Sequence, residues 1–425
     1  MNSRHRPLDL PNWVIPALYA LAAVTVGMTL PRIESRVLPE FSSRISPAAA
    51  MAIYTSIGTG MLALTGIVFA LMFVMVQFSA TAYSPRLVLW IARDRVTWHA
   101  LGVFTSTFLY SISAIAWLDR NESSRVPFLS AWLVVVLLLL SVGMFIALID
   151  RISLLQINNM LNFTGDRGRS IIERVYPPVE SPIATAQPED FLNLPLTQTL
   201  TYTGRPQVIQ AVNVSALVTL SSATAGIVEV VSCVGDTIVY GTQLLHVYGG
   251  RRPIEERLLR KAFQLGRQRT FEQDPQYAIR LLVDIAIKAL SPAINDPTTA
   301  VQALDQIEDL ILHLGRKRLE ISAFRDHERA LRVVLPSPSW DDFLALAFDE
   351  IRFCGAESVQ VMRRMKAMID ELILTLPLER HCSLLHHQDR LDATIAKSFE
   401  DVEERREASI GDRQGLGATR KVHRG

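Results

Sequence analysis

Four long apolar stretches dominate the first third of the chain. Windows free of Asp, Glu, Lys and Arg cover residues 10–30, 45–85, 96–118 and 126–149. Because an α-helix needs about 20 apolar residues to cross the hydrocarbon core of a bilayer, each window can hold one membrane span. The pattern predicts spans near residues 13–30, 56–78, 99–118 and 128–149, within a transmembrane domain over residues 1–155.

The arginines that flank these spans predict their orientation. Nine arginines lie on the side of the membrane that holds both termini, and five lie on the other side. Basic residues are enriched on the cytoplasmic side, so both termini are predicted to be cytoplasmic. The first stretch follows Arg4 and Arg6, as in a signal peptide, but no A-x-A-like cleavage site follows it. We therefore interpret it as a retained span.

Small and hydroxyl-bearing residues mark spans two and three. Span two places Thr59, Ala63, Gly66 and Ala70 on one helical face. Such a face lets a second helix approach closely, so we interpret it as a helix-packing face, with a pore lining as the alternative. Span three carries several Ser and Thr residues that either bond across helices or line a narrow wet path. None of the predicted spans has an ionisable residue at its middle, which argues against a pump or a proton-coupled carrier.

The pattern changes to β structure after a linker. Residues 156–197 are predicted to continue as a helix and then to form a proline-rich linker. Residues 198–250 contain β-branched runs separated by glycine-containing turns, which predicts a small β module with strands in "GRPQVIQAVN", "ALVTLSS", "AGIVEVVSCVGDTIVYG" and "TQLLHVYGG". The segment resembles the biotinyl/lipoyl-type sandwich, with Gly226, the Val234-Gly235-Asp236 turn and Gly241 in corresponding places. Because no Lys occurs between residues 1 and 260, the resemblance implies a structural or docking module and no carrier arm.

Residues 251–407 have a helical pattern throughout. Predicted helices cover residues 253–269, 275–290, 297–314, 322–335, 339–354, 357–375 and 378–407. Residues 408–425 are predicted to be a disordered tail. The predicted fold class is therefore an α+β integral membrane protein, with a four-helix transmembrane bundle, a small β-sandwich-like module and an all-helical cytoplasmic domain.

The stretch "KALSPAINDPTTAVQAL" joins two of these predicted helices at a corner. Pro292 disfavours helical geometry at Ser291 and ends the first helix. Asp296 followed by Pro297 suits the start of the next helix, with Asp296 as its N-cap. The first helix also carries a polar stripe at i,i+4 spacing that leads into the corner, formed by Gln276, Arg280, Asp284 and Lys288. Either this is a structural corner, or it binds an anion or a hard cation through Arg280, Asp284, Lys288, Ser291, Asn295, Asp296, Thr298 and Thr299.

Few other residues in the sequence suggest metal binding or catalysis. Cys382 and His386 have the spacing of two metal ligands, but no partner motif accompanies them, so no metal or cofactor is predicted. The sequence lacks a P-loop, G-x-G-x-x-G, G-x-S-x-G and H-E-x-x-H, and no catalytic residue is predicted. Basic and acidic residues nearly balance after residue 150, which argues against nucleic-acid binding. Three scattered cysteines suit a reducing compartment.

Several of these features occur together in one known family. The four N-terminal spans, "QFSATAYSPRL" after the second span, the V-G-D turn and "ALSPAINDP" resemble a bacterial family of predicted membrane proteins of unknown function, the DUF twenty-two fifty-four family. The resemblance covers about residues 10–400. It implies an inner-membrane location and a cytosolic C-terminal domain, and it implies no activity.

Three functional hypotheses follow. The first is a non-enzymatic, homo-oligomeric protein of the bacterial inner membrane whose cytoplasmic domain binds a ligand or partner. The second is a channel or transporter for a small solute or ion, with the Thr59–Gly66 face and the span-three hydroxyls lining its path. The third is a membrane-tethered enzyme with its site at the Arg280–Thr299 corner.

Overall fold

The computed structural model describes residues 11–37, 42–43, 45–82, 95–121, 126–153, 157–178, 188–320 and 323–417. The chain divides into two compact units, which we call the N-terminal unit (residues 5–159) and the C-terminal unit (mainly residues 160–425). Part of the predicted proline-rich linker, residues 179–187, lies outside the described residues. So do residues 418–425 of the predicted tail.

Among the described residues of the N-terminal unit, four helices are long and apolar enough to cross a membrane. They are α1 (Val14–Val37), α2 (Pro47–Ala82), α3 (Arg95–Asn121) and α4 (Phe128–Ser153). The prediction of four apolar helices is confirmed. Each helix extends beyond its predicted span: α1, α3 and α4 continue past charged side chains, and α2 fills most of its charge-free window. A short strand β1 (Ser42–Ser43) pairs antiparallel with β2 (Val126–Pro127).

Helix α3 is the most enclosed of the four. Half of its span is buried, against 17% of each of the other three spans. Its buried side chains, among them Phe104, Tyr110 and Leu118, pack with residues of the neighbouring helices. Close approach depends on glycine: a Cβ atom at Gly102 would lie 2.7 Å from the ring of Tyr19 on α1. The apolar outer surfaces of the other helices are suited to lipid.

Strands from distant parts of the chain form the sheets of the C-terminal unit. Helix α5 (Ile157–Val175) and a 3₁₀ helix (Pro188–Asn193) precede them. A five-stranded sheet has the order β3-β7-β5-β10-β9, with β3 (Leu196–Thr201), β7 (Gln243–Gly249), β5 (Gly226–Val230), β10 (Leu331–Val334) and β9 (Ala323–Arg325). A three-stranded sheet has the order β6-β4-β8, with β6 (Thr237–Ile238), β4 (Gln207–Val212) and β8 (Phe263–Gly266). Buried aliphatic residues of both sheets form one core.

One predicted strand is wrong. The run "ALVTLSS" belongs to helix α6 (Val214–Thr224), whose N-cap Asn213 accepts a hydrogen bond from the amide of Ala216 at 3.0 Å. The buried residues Leu217, Ser221 and Thr224 recur at helical spacing. A short apolar run does not by itself distinguish a strand from a buried helix, and here the capping residue and the packing face decide.

Two predicted helices are also wrong in whole or in part. Residues 323–334 form the hairpin of β9 and β10, and Val333 of β10 pairs in parallel with Val228 of β5. Residues 253–269 contain only the short helix α7 (Glu256–Lys261), after which β8 pairs antiparallel with β4. These strands are stabilised by partners far away in sequence, so local periodicity did not reveal them.

The remaining helices follow the predicted pattern. They are α8 (Pro275–Ala289), α9 (Pro297–Gly315), α10 (Trp340–Cys354), α11 (Val359–Thr375), α12 (His381–Ser398) and α13 (Val402–Ala408). The predicted helix 378–407 is interrupted before Asp401, which caps α13 through the amides of Glu403 and Glu404.

Residues 409–417 of the expected tail are packed against α11. The guanidinium of Arg363 donates to the carbonyl oxygens of Ile410 and Gly417, at 3.1 and 3.0 Å. A Cβ atom built at Gly411 would lie 3.3 Å from the backbone of Ala367. A buried arginine whose hydrogen bonds go to this backbone holds the segment in place, which the composition of the tail did not indicate.

Candidate functional site

The corner between α8 and α9 is built from backbone hydrogen bonds. After α8 ends, the amide of Asn295 donates to the carbonyl oxygen of Ser291 at 2.9 Å, and the amide of Asp296 donates to that of Ala289 at 2.8 Å. Asn295 adopts a left-handed conformation with φ of 48°. Asn tolerates this region better than most non-glycine residues, which explains its presence without a ligand.

Asp296 is the N-cap of α9, in the predicted role. Its carboxylate accepts from the amide of Thr299 at 3.1 Å and from the hydroxyl of Thr299 at 2.6 Å. Thr299 is buried, whereas Thr298 is exposed. The hydroxyl of Ser291 donates to the carbonyl oxygen of Lys288 at 2.7 Å. Most polar groups proposed for a ligand therefore have partners within the corner itself.

The tip of the corner faces solvent. Residues 292–295 are all exposed, and Ile294 retains 43% of its surface. Beneath the tip, α8 is buried over most of its circumference. The corner is thus an exposed loop on a hydrogen-bonded base.

One residue of the stripe on α8, Arg280, contacts α10. Arg280 donates through Nε to Asp284 at 2.7 Å and through Nη2 to Glu350 at 2.8 Å. The hydrogen bonds to Glu350, and then those to Asp284, raise the pKa of Arg280 and outweigh the opposing effect of burial. Two carboxylates therefore compensate the guanidinium charge, which leaves it poorly suited to bind a further anion.

The small-residue face of α2 points out of the bundle. Thr59, Ala63, Gly66 and Ala70 are not buried by the rest of the chain, and a Cβ atom built at Gly66 would meet nothing within 4 Å. No other described helix of the same chain therefore packs closely on Gly66.

The span-three hydroxyls bond to nearby helix backbone. Thr107 donates to the carbonyl oxygen of Val103 at 2.8 Å, and Ser111 donates to that of Thr107 at 2.8 Å. The hydroxyls of Thr107 and Ser141 lie 3.0 Å apart across α3 and α4. The buried side chain of Phe104 belongs to an apolar cluster in the same part of α3. The described residues of one chain therefore favour packing over a wet path for these hydroxyls.

Two carboxylates that organise these regions were missed by sequence analysis. Glu350 is the partner of Arg280, and only the packing of α10 on α8 reveals it. Glu34 lies in α1 beyond the predicted first span, and its carboxylate accepts hydrogen bonds from the first turn of α4. A signal for Glu34 existed: Val126 and Pro127, which precede α4, have no side chain that can cap a helix.

The histidines near Cys382 are not arranged as a metal site. Cys382 and His386 are exposed, whereas His387 is buried, with Nδ1 3.7 Å from a carboxylate oxygen of Asp349. Burial lowers the pKa of His387, although Asp349 opposes this effect. Within the described ranges, no group of three or more His, Cys, Asp or Glu side chains could hold a metal ion.

Comparison with known proteins also indicates a membrane protein. The family model described as "Predicted membrane protein (DUF2254)" matches residues 11–371. Uncharacterized proteins of Mycobacterium bovis and Mycobacterium tuberculosis are 25% identical over 370 residues, which is 84% of this chain and 70% of theirs. No solved structure matches the chain.

Proposed function

As the chain belongs to the DUF2254 family of predicted membrane proteins, we propose that it is a non-enzymatic, oligomeric protein of the bacterial inner membrane. Both termini lie in the cytosol, and the C-terminal unit binds a partner there. Copies associate through the face of α2 formed by Thr59, Ala63, Gly66 and Ala70, which we call the α2 face.

The exposure of the α2 face is the main observation that supports association of copies through this face. Some glycines of the bundle serve packing within the chain: a Cβ atom at Gly27 would lie 2.6 Å from Cβ of Ser113, whereas Gly60 and Gly143, like Gly66, have no described atom within 4 Å of that position. At Gly66 a Cβ atom would meet nothing within 4 Å. Glycine is unfavourable in a helix interior by roughly 1 kcal/mol relative to alanine. A small face that the described residues of the chain leave exposed is therefore best explained by a second helix from another copy.

The corner of the C-terminal unit supports the partner-binding role. Its exposed tip rests on a base whose arginine, Arg280, is compensated by Asp284 and Glu350. Loops positioned by a rigid scaffold are common recognition surfaces. Arg280 and Asp296 already have hydrogen-bond partners. The exposed tip is therefore better suited to recognition through Pro292, Ile294 and Asn295 than to catalysis. The interpretation of the β module as a lysine-free docking or structural module agrees with this role.

Cysteine crosslinking in native membranes tests the oligomer. In a background with Cys233, Cys354 and Cys382 replaced by Ser, Ala63→Cys is oxidised and the chain is examined on a non-reducing gel. Phe69→Cys is the matched control, because Phe69 is exposed on the same helix about a third of a turn away from Ala63. We expect covalent dimers with Ala63→Cys alone. Equal crosslinking at both positions, or none at position 63, would contradict the proposed interface.

A further inference from the structure

A buried carboxylate connects the end of α1 to the start of α4. Glu34 is 3% exposed. Its Oε1 accepts from the amide of Leu129 at 2.6 Å, and its Oε2 accepts from the amide and the hydroxyl of Ser130, both at 3.1 Å. Amides in the first turn of a helix have no intrahelical acceptor. Glu34 thus caps α4 from another helix, where its negative charge also complements the helix dipole.

Next to this cap lies a buried hydroxyl that lacks a protein partner. Tyr54 of α2 is 3% exposed, and its hydroxyl has no hydrogen bond to any residue that the structure describes. The neighbouring Tyr110 differs, because its hydroxyl donates to the carbonyl oxygen of Ser130 at 3.4 Å. Leaving a buried hydroxyl unsatisfied costs about 1–3 kcal/mol. Such a group therefore needs a partner.

A small cavity provides the place for that partner. Tyr54 and Ser130 line it together with Pro31, Trp117 and other apolar residues. Its size is sufficient for roughly one water molecule. Both Tyr54 and Tyr110 interact electrostatically with Glu34. A carboxylate offers about four acceptor sites, and three hydrogen bonds to Glu34 leave one of them for a further donor.

We propose that this cavity is a binding site for one water-sized hydrogen-bond donor, which bonds to the hydroxyl of Tyr54 next to Ser130, the residue of the Glu34 cap that lines the cavity. A water molecule and an ammonium ion share this size and chemistry. Water gives the Tyr54 hydroxyl an acceptor, whereas an ammonium ion only donates and therefore bonds to its oxygen; either ligand connects α2 to the Glu34 cap between α1 and α4.

The direction in which Tyr54→Phe shifts the unfolding midpoint distinguishes an occupied cavity from a hydroxyl without a partner. If Tyr54 bonds the ligand, Tyr54→Phe in the purified full-length protein lowers the unfolding midpoint by about 2–4 °C. If the hydroxyl has no partner, the same substitution removes a buried polar group and leaves the midpoint unchanged or raises it. Tyr110→Phe is the reference, because it loses a hydrogen bond to protein whatever the cavity holds.

Two further measurements complete the test. A density map of the full-length protein should show a peak within hydrogen-bonding distance of the Tyr54 hydroxyl that disappears in Tyr54→Phe. Repeating the thermal measurements in ammonium chloride and in sodium chloride of equal ionic strength separates the sources. A stabilisation by ammonium that Tyr54→Phe abolishes identifies the cation, and equal midpoints in the two salts identify water. An unchanged or raised midpoint for Tyr54→Phe, or the absence of the peak, would overturn the proposal.

Discussion

Arg280 on α8 donates to Glu350 on α10 at 2.8 Å and joins two helices whose contributing residues are 70 positions apart. Replacing either residue should lower the unfolding midpoint of the full-length protein in detergent. Because the Glu350 side chain is 51% exposed, solvent screens the pair, and a double-mutant cycle should give a coupling energy of about 1 kcal/mol or less.

The pair of Arg413 and Glu371, whose arginine is exposed, is the control for this cycle. Its nitrogen–oxygen distance is 3.1 Å, and the Arg413 side chain is 75% exposed. We expect Arg413→Ala to change the midpoint less than Arg280→Ala does. If Arg280 and Glu350 showed no coupling, the two helices would be held by apolar packing alone, and the stripe would again be open to a ligand.

The left-handed backbone at Asn295 makes a second prediction. Because glycine adopts a φ of 48° without steric cost, Asn295→Gly should leave the stability close to that of the wild type. Asn295→Ala should lower it by about 1 kcal/mol, since Ala keeps the Cβ atom and loses the short polar side chain with which Asn tolerates this conformation. Thermal unfolding of the full-length variants measures the difference. A destabilisation by Gly as large as that by Ala would indicate that the amide side chain itself makes an essential contact.

The burial of His387 predicts a dependence of stability on pH. Its pKa is lowered below 6.5, first by burial and then by Arg390, His386 and Arg352, against the opposing effect of Asp349. The unfolded chain therefore binds more protons than the folded protein in the interval just below pH 6.5. Above that interval His387 is neutral in both the folded and the unfolded state. The free energy of unfolding therefore falls as the pH falls through the interval.

Variants at two adjacent histidines isolate this contribution. The unfolding midpoint is measured across the interval for wild type, His387→Gln and His386→Gln. We expect His387→Gln to reduce the pH dependence, and we expect the exposed neighbour His386 to contribute much less. An identical effect of both substitutions would show that burial of His387 is not the cause.

The exposed cysteines test the membrane orientation. Cys354 and Cys382 lie on the surface of the C-terminal unit. A membrane-impermeant maleimide should label them in inverted inner-membrane vesicles and not in intact spheroplasts. In the background with Cys233, Cys354 and Cys382 replaced by Ser, Ser46→Cys, at an exposed position between α1 and α2, should give the opposite result. Because burial, and then Glu350, raises the pKa of Cys354, its labelling should accelerate as the pH increases. Labelling of Cys382 in spheroplasts would contradict a cytosolic C-terminal unit.

Local features of the sequence were sufficient to predict the spans and the start of α9. The four spans required only apolar windows of the right length, and the start of α9 required only Asp296 and Pro297 in succession. Asn295 remained ambiguous, because its amide suggested a ligand, whereas its φ of 48° shows a backbone requirement. The stripe on α8 was recognised as polar, but its partner Glu350 was not.

The sequence by itself determined the apolar spans, the helix ends at the corner and the family, because each depends on residues within a few positions of one another or on a motif. Only the tertiary structure decided that Val333 pairs with Val228, that Arg280 is compensated by Glu350, and that Glu34 caps α4. These contacts join residues 70 to 105 positions apart. Their energy depends on which surfaces meet after the chain has folded, and no local pattern encodes that choice.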